Sequence, residues 1–131
     1  MSKQFPIKVI ATIAIVLAVD ATTWRGSAAE EKDEPIKHVM NTFHKAPKGV
    51  DPICKKALEG KASADEVTKL VAAYKTLTKA TPPKGDQASW TEKTGKLLAA
   101  AESLQTGEAD GIAKYKEAVN CKACHTVHKL D

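Results

Sequence analysis

The stretch Cys121-Lys122-Ala123-Cys124-His125 lies close to the C-terminus and combines two thiols with an imidazole. On an α-helix, side chains at positions i, i+3 and i+4 share one face, so both sulfur atoms and the ring of His125 project toward the same ligand. Two thioether bonds can then hold a flat macrocycle while the imidazole binds its central iron. The spacing therefore predicts one covalently bound haem c, attached through Cys121 and Cys124, with His125 as the proximal iron ligand.

Two other chemistries use a Cys-x-x-Cys pair. A structural zinc site needs four ligands, and the other obvious donors, Cys54 and His128, are not at a paired spacing. A thioredoxin-like redox pair lies in a βαβ setting, whereas no segment of this chain has the pattern of a strand. Haem attachment is the interpretation that these observations favour.

The N-terminal residues have the composition of a secretory signal. Lys3 and Lys8 form a basic start, and Ser27-Ala28-Ala29 suits a cleavage site for small residues. The apolar run between them, residues 9–19, is shorter than the roughly 20 residues that span a bilayer. We therefore expect residues 1–29 to be a signal peptide of a bacterial protein exported to the periplasm, with retention as an N-terminal tether as the alternative.

The mature part, residues 30–131, is expected to form one domain without a transmembrane span. Removal of the signal takes away Lys3, Lys8, Arg25 and Asp20, so the formal charge falls from +4 to +2. Nothing in this charge or its distribution indicates a nucleic acid or a membrane surface as a partner. Export also places Cys54 in an oxidising compartment, where it is either a small buried hydrophobe or the link of a disulfide-bonded dimer.

Apolar periodicity predicts four helical arms and no strands. Pro and Gly residues between 47 and 60 interrupt the chain after the first arm, and Ser63 with Glu66 forms a capping box before the second. The expected ranges are about 33–45 for helix A, 63–79 for helix B, 86–105 for helix C and 109–128 for helix D, with a short helical stretch at 53–58. Short connections between these arms predict an all-α fold, an antiparallel four-helix bundle with the haem site near its C-terminus.

Over nearly the whole mature part, the chain resembles the class II cytochromes c, the family of cytochrome c prime and its low-spin six-coordinate relatives. The resemblance rests on the Cys-x-x-Cys-His motif near the end of the fourth helix, on Trp90 early in the third, and on a first helix that offers a residue to the far face of the haem. Lys129, four residues after His125, matches the basic residue usual in the family, whereas His128 stands where an aromatic residue is common.

The resemblance has implications beyond the motif. Trp90 is expected to pack on or near the macrocycle, with a plain core tryptophan as the alternative. Class II cytochromes are often dimers through their first two helices, so a homodimer is an open expectation here. The interrupted segment 47–60 and the extra thiol of Cys54 depart from the family's pattern.

Met40 is the preferred second axial ligand of the iron. In an up-down-up-down bundle the start of the first helix lies beside the end of the fourth, which puts Met40 and His125 at comparable heights. At 100° per residue, Met40 points to the core, His44 to its flank and His38 to water. His44, about 5.4 Å further along the axis, is the rival. In the third arrangement no side chain binds on the far face, and Met40 is a core residue.

Axial ligation controls haem chemistry, so these alternatives predict different functions. Ligation by His125 and Met40 leaves the iron no open position and suits a one-electron carrier between redox proteins of the periplasm. Ligation by His125 alone predicts a protein that binds nitric oxide or carbon monoxide, as cytochrome c prime is thought to do. Peroxidase-like catalysis is less favoured, because only His44 offers a polar group on the far face. We therefore predict an electron carrier and not an enzyme.

Overall fold

Six α-helices make up the part of the chain that the computed structural model describes, residues 28–130. They are α1 (Ala28–Phe43), α2 (Ile53–Leu58), α3 (Ala64–Lys79), α4 (Gln87–Thr106), α5 (Gly111–Ala118) and α6 (Cys121–His128). These residues include no strand, which confirms the all-α prediction. The predicted signal peptide, apart from its last two residues, lies outside the described range. None of the described helices is long and apolar enough to cross a membrane.

The first helix is longer at its start than the sequence suggests. A start near residue 33 is wrong, because helical backbone runs from Ala28 through Pro35 to Phe43. A proline inside a helix removes one backbone hydrogen bond. The helix continues past Pro35 because the turns that follow bury Val39 and Phe43 in the core, and this burial offsets the lost bond.

Helices α2, α3 and α4 lie where the sequence predicts them. The capping box before α3 is formed, since the Ser63 hydroxyl accepts from the Glu66 N–H at 3.2 Å and the Glu66 carboxylate accepts from the Ser63 N–H at 2.9 Å. At the C-terminal end of α4, Gly107 ends the helix with a φ of 73°. Glycine adopts this left-handed conformation without steric cost. Local signals thus set both helices.

The predicted single helix over residues 109–128 is wrong. The helix is interrupted between Ala118 and Cys121. There the side chain of Asn120 accepts a 3.0 Å hydrogen bond from the Ala123 N–H and caps α6. Asparagine side chains compete with the backbone for donors. Asn120 therefore starts a new helix at a point where apolar periodicity alone predicts continuation.

The helices pack around α3 and α4, which lie against each other. Helix α1 packs on α3, α5 packs on α4, α2 contacts both α3 and α5, and α6 contacts α4. The buried core includes Val39, Leu70, Val71, Tyr74, Leu77, Trp90, Ala101 and Tyr115. The core is thus made mainly by the two central helices, and α1 and α6 lie at its border.

His128 attaches α6 to α4 and is 2% exposed. Its Nδ1–H donates to the carbonyl oxygen of Lys84 at 2.9 Å, and Nε2 lies 3.1 Å from the Ser89 hydroxyl. The ring also meets that of Trp90 edge to face, with centroids 5.3 Å apart. Gly85 allows this approach, because a Cβ there would lie 2.8 Å from Nδ1. The residue is a structural anchor of the C-terminal helix.

Replacing His128 with Ala should lower the free energy of unfolding by about 2–4 kcal/mol, because it removes two hydrogen bonds and leaves a cavity beside Trp90. Chemical denaturation measures this loss. His38→Ala is the matched control: His38 is exposed, so its removal should change stability by less than about 0.5 kcal/mol. Equal effects of the two substitutions would contradict the anchoring role.

Candidate functional site

A cavity of about 730 Å³ opens between α1, α4, α5 and α6. This volume lies within the range of about 300–1,000 Å³ that is usual for small-molecule and cofactor pockets. Much of its wall is apolar and is made by Leu77, Trp90, Leu97, Ala100, Ala118 and Val119. The cavity is therefore suited to a large, mainly apolar ligand.

All five residues predicted for the haem site line this cavity. Cys121, Cys124 and His125 reach it from α6, Met40 reaches it from α1, and Trp90 reaches it from α4. Because α6 begins at Cys121, the two thiols belong to its first turn and the imidazole follows directly. Cys121 and His125 are exposed, whereas Cys124 and Met40 are partly buried. The motif and the methionine thus meet at one space, and the motif side is open to solvent.

Trp90 forms a rigid part of the cavity wall. Its indole N–H donates to the Leu77 carbonyl oxygen at 2.8 Å, and the side chain is 3% exposed. The ring also meets that of His128 edge to face, which is a second contact that holds it. The hydrogen bond fixes the orientation that the ring presents to any ligand in the cavity.

Cys54 is buried and also lines the cavity. It belongs to α2, so the short helix in the interrupted segment contributes to the site. Burial raises the pKa of the Cys54 thiol. Burial also raises the pKa of Cys124, an effect that the neighbouring ammonium group of Lys93 partly offsets. All three cysteines of the chain are free thiols, which leaves Cys121 and Cys124 available for thioether bonds.

A hydrogen-bond chain runs from the cavity into the core. The Nε2 of His44 lies 3.1 Å from the Tyr74 hydroxyl, and that hydroxyl lies 2.6 Å from the hydroxyl of Tyr115. Both tyrosines are 0% exposed. Burial raises the pKa of each phenol, so both keep their protons. This series of hydrogen bonds reaches the cavity at His44, which is part of the cavity wall.

The imidazole of His44 is neutral near neutral pH. Burial, together with the charge of the nearby His125, lowers its pKa to about 4. A neutral ring has one protonated nitrogen and one that accepts. Since Tyr74 keeps its proton, its hydroxyl can donate to Nε2 while it accepts from Tyr115. The lone pair of Nε2 is then occupied by a hydrogen bond.

Lysine side chains form much of the charged border of the cavity. Those that line it are Lys45, Lys93, Lys96 and Lys114, together with one acidic residue, Glu117. Lys96 pairs with Glu92 at 2.7 Å, and Lys114 pairs with Glu108 at 2.6 Å. Within residues 33–130, Lys45 and Lys93 form no ion pair, and Lys93 is partly buried. The border can therefore receive acidic groups of a ligand.

The site is defined by its own residues and geometry. No protein-family model, curated protein or solved structure matches the chain. Within the described residues, no three His, Cys, Asp or Glu side chains form a group that could hold a metal ion by themselves. The two thiols, the imidazole and the thioether of Met40 are the residues that could hold a cofactor here.

The sequence alone did not assign Tyr74, Tyr115 or Cys54 to the site. A usable signal existed for the tyrosines, because they are the chain's only two and both lie on predicted apolar stripes. A buried tyrosine hydroxyl usually needs a hydrogen-bond partner, which suggests pairing. For Cys54 the sequence offered burial but no direction toward the motif.

The lowered pKa of His44 makes stability depend on pH. The unfolded ring takes up its proton near pH 6.5 and the folded ring only near pH 4. The contribution of His44 to the free energy of unfolding is therefore fully present above about pH 6.5 and is lost as the pH falls toward about 4. We expect a loss of about 2 kcal/mol over this window. The measurement is denaturant unfolding at both ends of the window, in the natural chain and in His44→Gln. A variant with the same pH dependence as the natural chain would show that His44 is not the source.

Proposed function

We propose that the protein is a periplasmic monohaem c-type cytochrome that carries single electrons between redox proteins and is not an enzyme. The observation that carries the proposal is that one cavity is lined by both cysteines and the histidine of the Cys-x-x-Cys-His motif and by Met40. We further propose that α1, α3, α4 and the α5–α6 pair are the four arms of an antiparallel bundle around the haem.

The residues of the cavity fit a haem c in their chemistry. Two thiols at i and i+3 with an imidazole at i+4 match the donors for two thioether bonds and one axial bond. The volume and apolar walls suit a macrocycle. The ammonium groups of Lys45 and Lys93, which form no ion pair within residues 33–130, suit its two acidic propionate groups. Size, donors and charge therefore agree.

Each residue has a defined part in this proposal. Cys121 and Cys124 would attach the haem, His125 would bind the iron on one side, and Met40 would bind it on the other. When bound, the haem supplies one-electron chemistry, with a potential that its axial ligands set. Trp90, held by its hydrogen bond to Leu77, would keep water from one part of the cavity.

The state of His44 supports Met40 as the second ligand. Both residues line the cavity, but the Nε2 of His44 is hydrogen-bonded to Tyr74. The thioether sulfur of Met40 makes no hydrogen bond within the described residues and is free to bind a metal. Of the two rivals, Met40 therefore offers the available lone pair.

The resemblance to class II cytochromes c, noted from the motif and Trp90, supports the same proposal. It includes a five-coordinate alternative, in which the protein binds nitric oxide or carbon monoxide. One observation favours that alternative: Met40 packs against the buried core cluster, as a methionine with a purely structural role does. Under either function the site is on the mature domain, residues 30–131, in the periplasm.

Replacing Met40 with Ala should convert a low-spin ferric spectrum to a high-spin one and open the iron to carbon monoxide, because nothing then binds opposite His125. Optical spectra of both oxidation states, with and without carbon monoxide, measure this. His44→Ala, one helical turn away, is the matched control and should keep the natural spectrum. If His44→Ala became high-spin instead and Met40→Ala did not, the imidazole would be the ligand.

Replacing Cys124 with Ser should leave at most one thioether bond and sharply reduce covalently bound haem. The measurement is haem content after denaturation and extraction, for protein exported by a bacterium that matures c-type cytochromes. Cys54→Ser is the matched control, because Cys54 lines the same cavity but lies outside the motif. Full covalent haem in Cys124→Ser would overturn the assignment of the cofactor.

A further inference from the structure

The hydrogen-bond chain through Tyr74 and Tyr115 ends on the nitrogen atom of His44 that could otherwise compete for the iron. Met40 and His44 are one helical turn apart, and both line the cavity. The backbone N–H of His44 still donates to the Met40 carbonyl oxygen at 3.1 Å, so the two side chains leave the same turn. Two side chains that could bind the iron therefore leave the same helical turn and line the same cavity.

Without a further constraint, imidazole would be the stronger competitor for ferric iron. Imidazole is a common iron ligand, whereas thioether sulfur is soft and favours softer metal states. His44 also lines the cavity. Its position therefore does not explain its exclusion.

The hydrogen bond to Tyr74 supplies the missing constraint. A neutral imidazole binds a metal through its unprotonated nitrogen. The Tyr74 hydroxyl lies 3.1 Å from Nε2 of His44, and in the tautomer with an unprotonated Nε2 it donates to that nitrogen. Its Nδ1 then carries the ring proton and is also unable to bind. Neither nitrogen atom of His44 is available while the hydrogen bond remains.

Tyr115 can accommodate this direction of the bond by donating to Tyr74. The Tyr74 hydroxyl has one proton, and the 2.6 Å contact means that Tyr74 either donates to Tyr115 or accepts from it. Only the second arrangement leaves the Tyr74 proton for His44. In that arrangement the hydroxyl protons of Tyr115 and Tyr74 both point toward the cavity. Hydrogen bonds in such a series strengthen one another.

We infer that Tyr74 is a positioning residue that selects the axial ligand, holding His44 away from the iron so that Met40 binds it. This inference rests on the proposed haem function and adds a second determinant to it. The ligand is then decided by a residue on α3, which does not itself touch the metal.

The test is Tyr74→Phe in the haem-loaded protein. We expect the weak long-wavelength sulfur-to-iron band of the ferric spectrum to be lost, while the iron remains low-spin and unreactive toward carbon monoxide, as two imidazole ligands require. A variant whose helical circular dichroism is natural but whose sulfur-to-iron band is unchanged would overturn the inference.

Two further variants separate ligand selection from a general loosening of the core. Tyr115→Phe removes the neighbouring hydroxyl but leaves the bond between Tyr74 and His44, so the sulfur-to-iron band should remain. Tyr74→Phe combined with His44→Ala should restore the band, because the competing imidazole is gone. Failure of the double variant to restore it would show that Tyr74 acts through packing and not through His44.

A measurement on the natural protein keeps the inference testable if Tyr74→Phe does not fold. Nitrogen NMR of the histidine side chains distinguishes the two neutral tautomers. We expect His44 with a protonated Nδ1 and a hydrogen-bonded, unprotonated Nε2; a protonated Nε2 would overturn the inference.

Failure of the proposed function has a different signature. A natural protein that binds covalent haem but lacks the sulfur-to-iron band, and is high-spin, would remove Met40 from ligation before Tyr74 is tested. A natural protein with the band, together with an unaffected folded Tyr74→Phe, removes only the role of Tyr74.

Discussion

The open cavity between α1 and α6 is the constraint on which the rest of the structure depends. A domain of about a hundred residues buries a limited share of its surface. An open cavity of about 730 Å³ reduces the packed interior further, so the fold depends on dense packing elsewhere. The central pair α3 and α4 supplies that packing, with Leu70 of α3 and Ala101 of α4 at 0% exposure. Two polar side chains of the cavity wall are satisfied within the protein: Trp90 donates to Leu77, and His44 is bonded to Tyr74. The wall is therefore organised by contacts that lie behind it.

The helices that sequence patterns predicted well are those with local signals at their ends. The Ser63 capping box and the left-handed Gly107 are short-range features, and the corresponding ends of α3 and α4 lie within one or two residues of the predicted ones. The start of α1 and the division at Asn120 were not predicted. In the first case the helix begins at Ala28, well before Pro35, although proline usually stands in the first turn of a helix. In the second a side chain replaces a backbone acceptor. Neither effect changes the apolar period on which the prediction depended.

Sequence patterns could likewise place some residues of the site but not others. Spacing within one helix was enough to place Cys121, Cys124 and His125 on one cavity, and helix order was enough to bring Met40 to it. The link from His44 to Tyr74 spans thirty positions, and the link from Tyr74 to Tyr115 spans forty-one. Such pairings depend on how α3 packs against its neighbours, and periodicity carries no information about them. The polar part of the site could therefore be recognised only in three dimensions.

The division of the C-terminal arm at Asn120 also bears on how this architecture can vary. In one continuous helix, each residue inserted or deleted upstream would rotate every later side chain by about 100°. Here Asn120 begins α6 anew, and His128 fixes its far end against α4. The angular phase of the two thiols and the imidazole is thus set within a single eight-residue segment. Changes in the length of α5 can consequently accumulate over evolution without turning these donors away from the cavity.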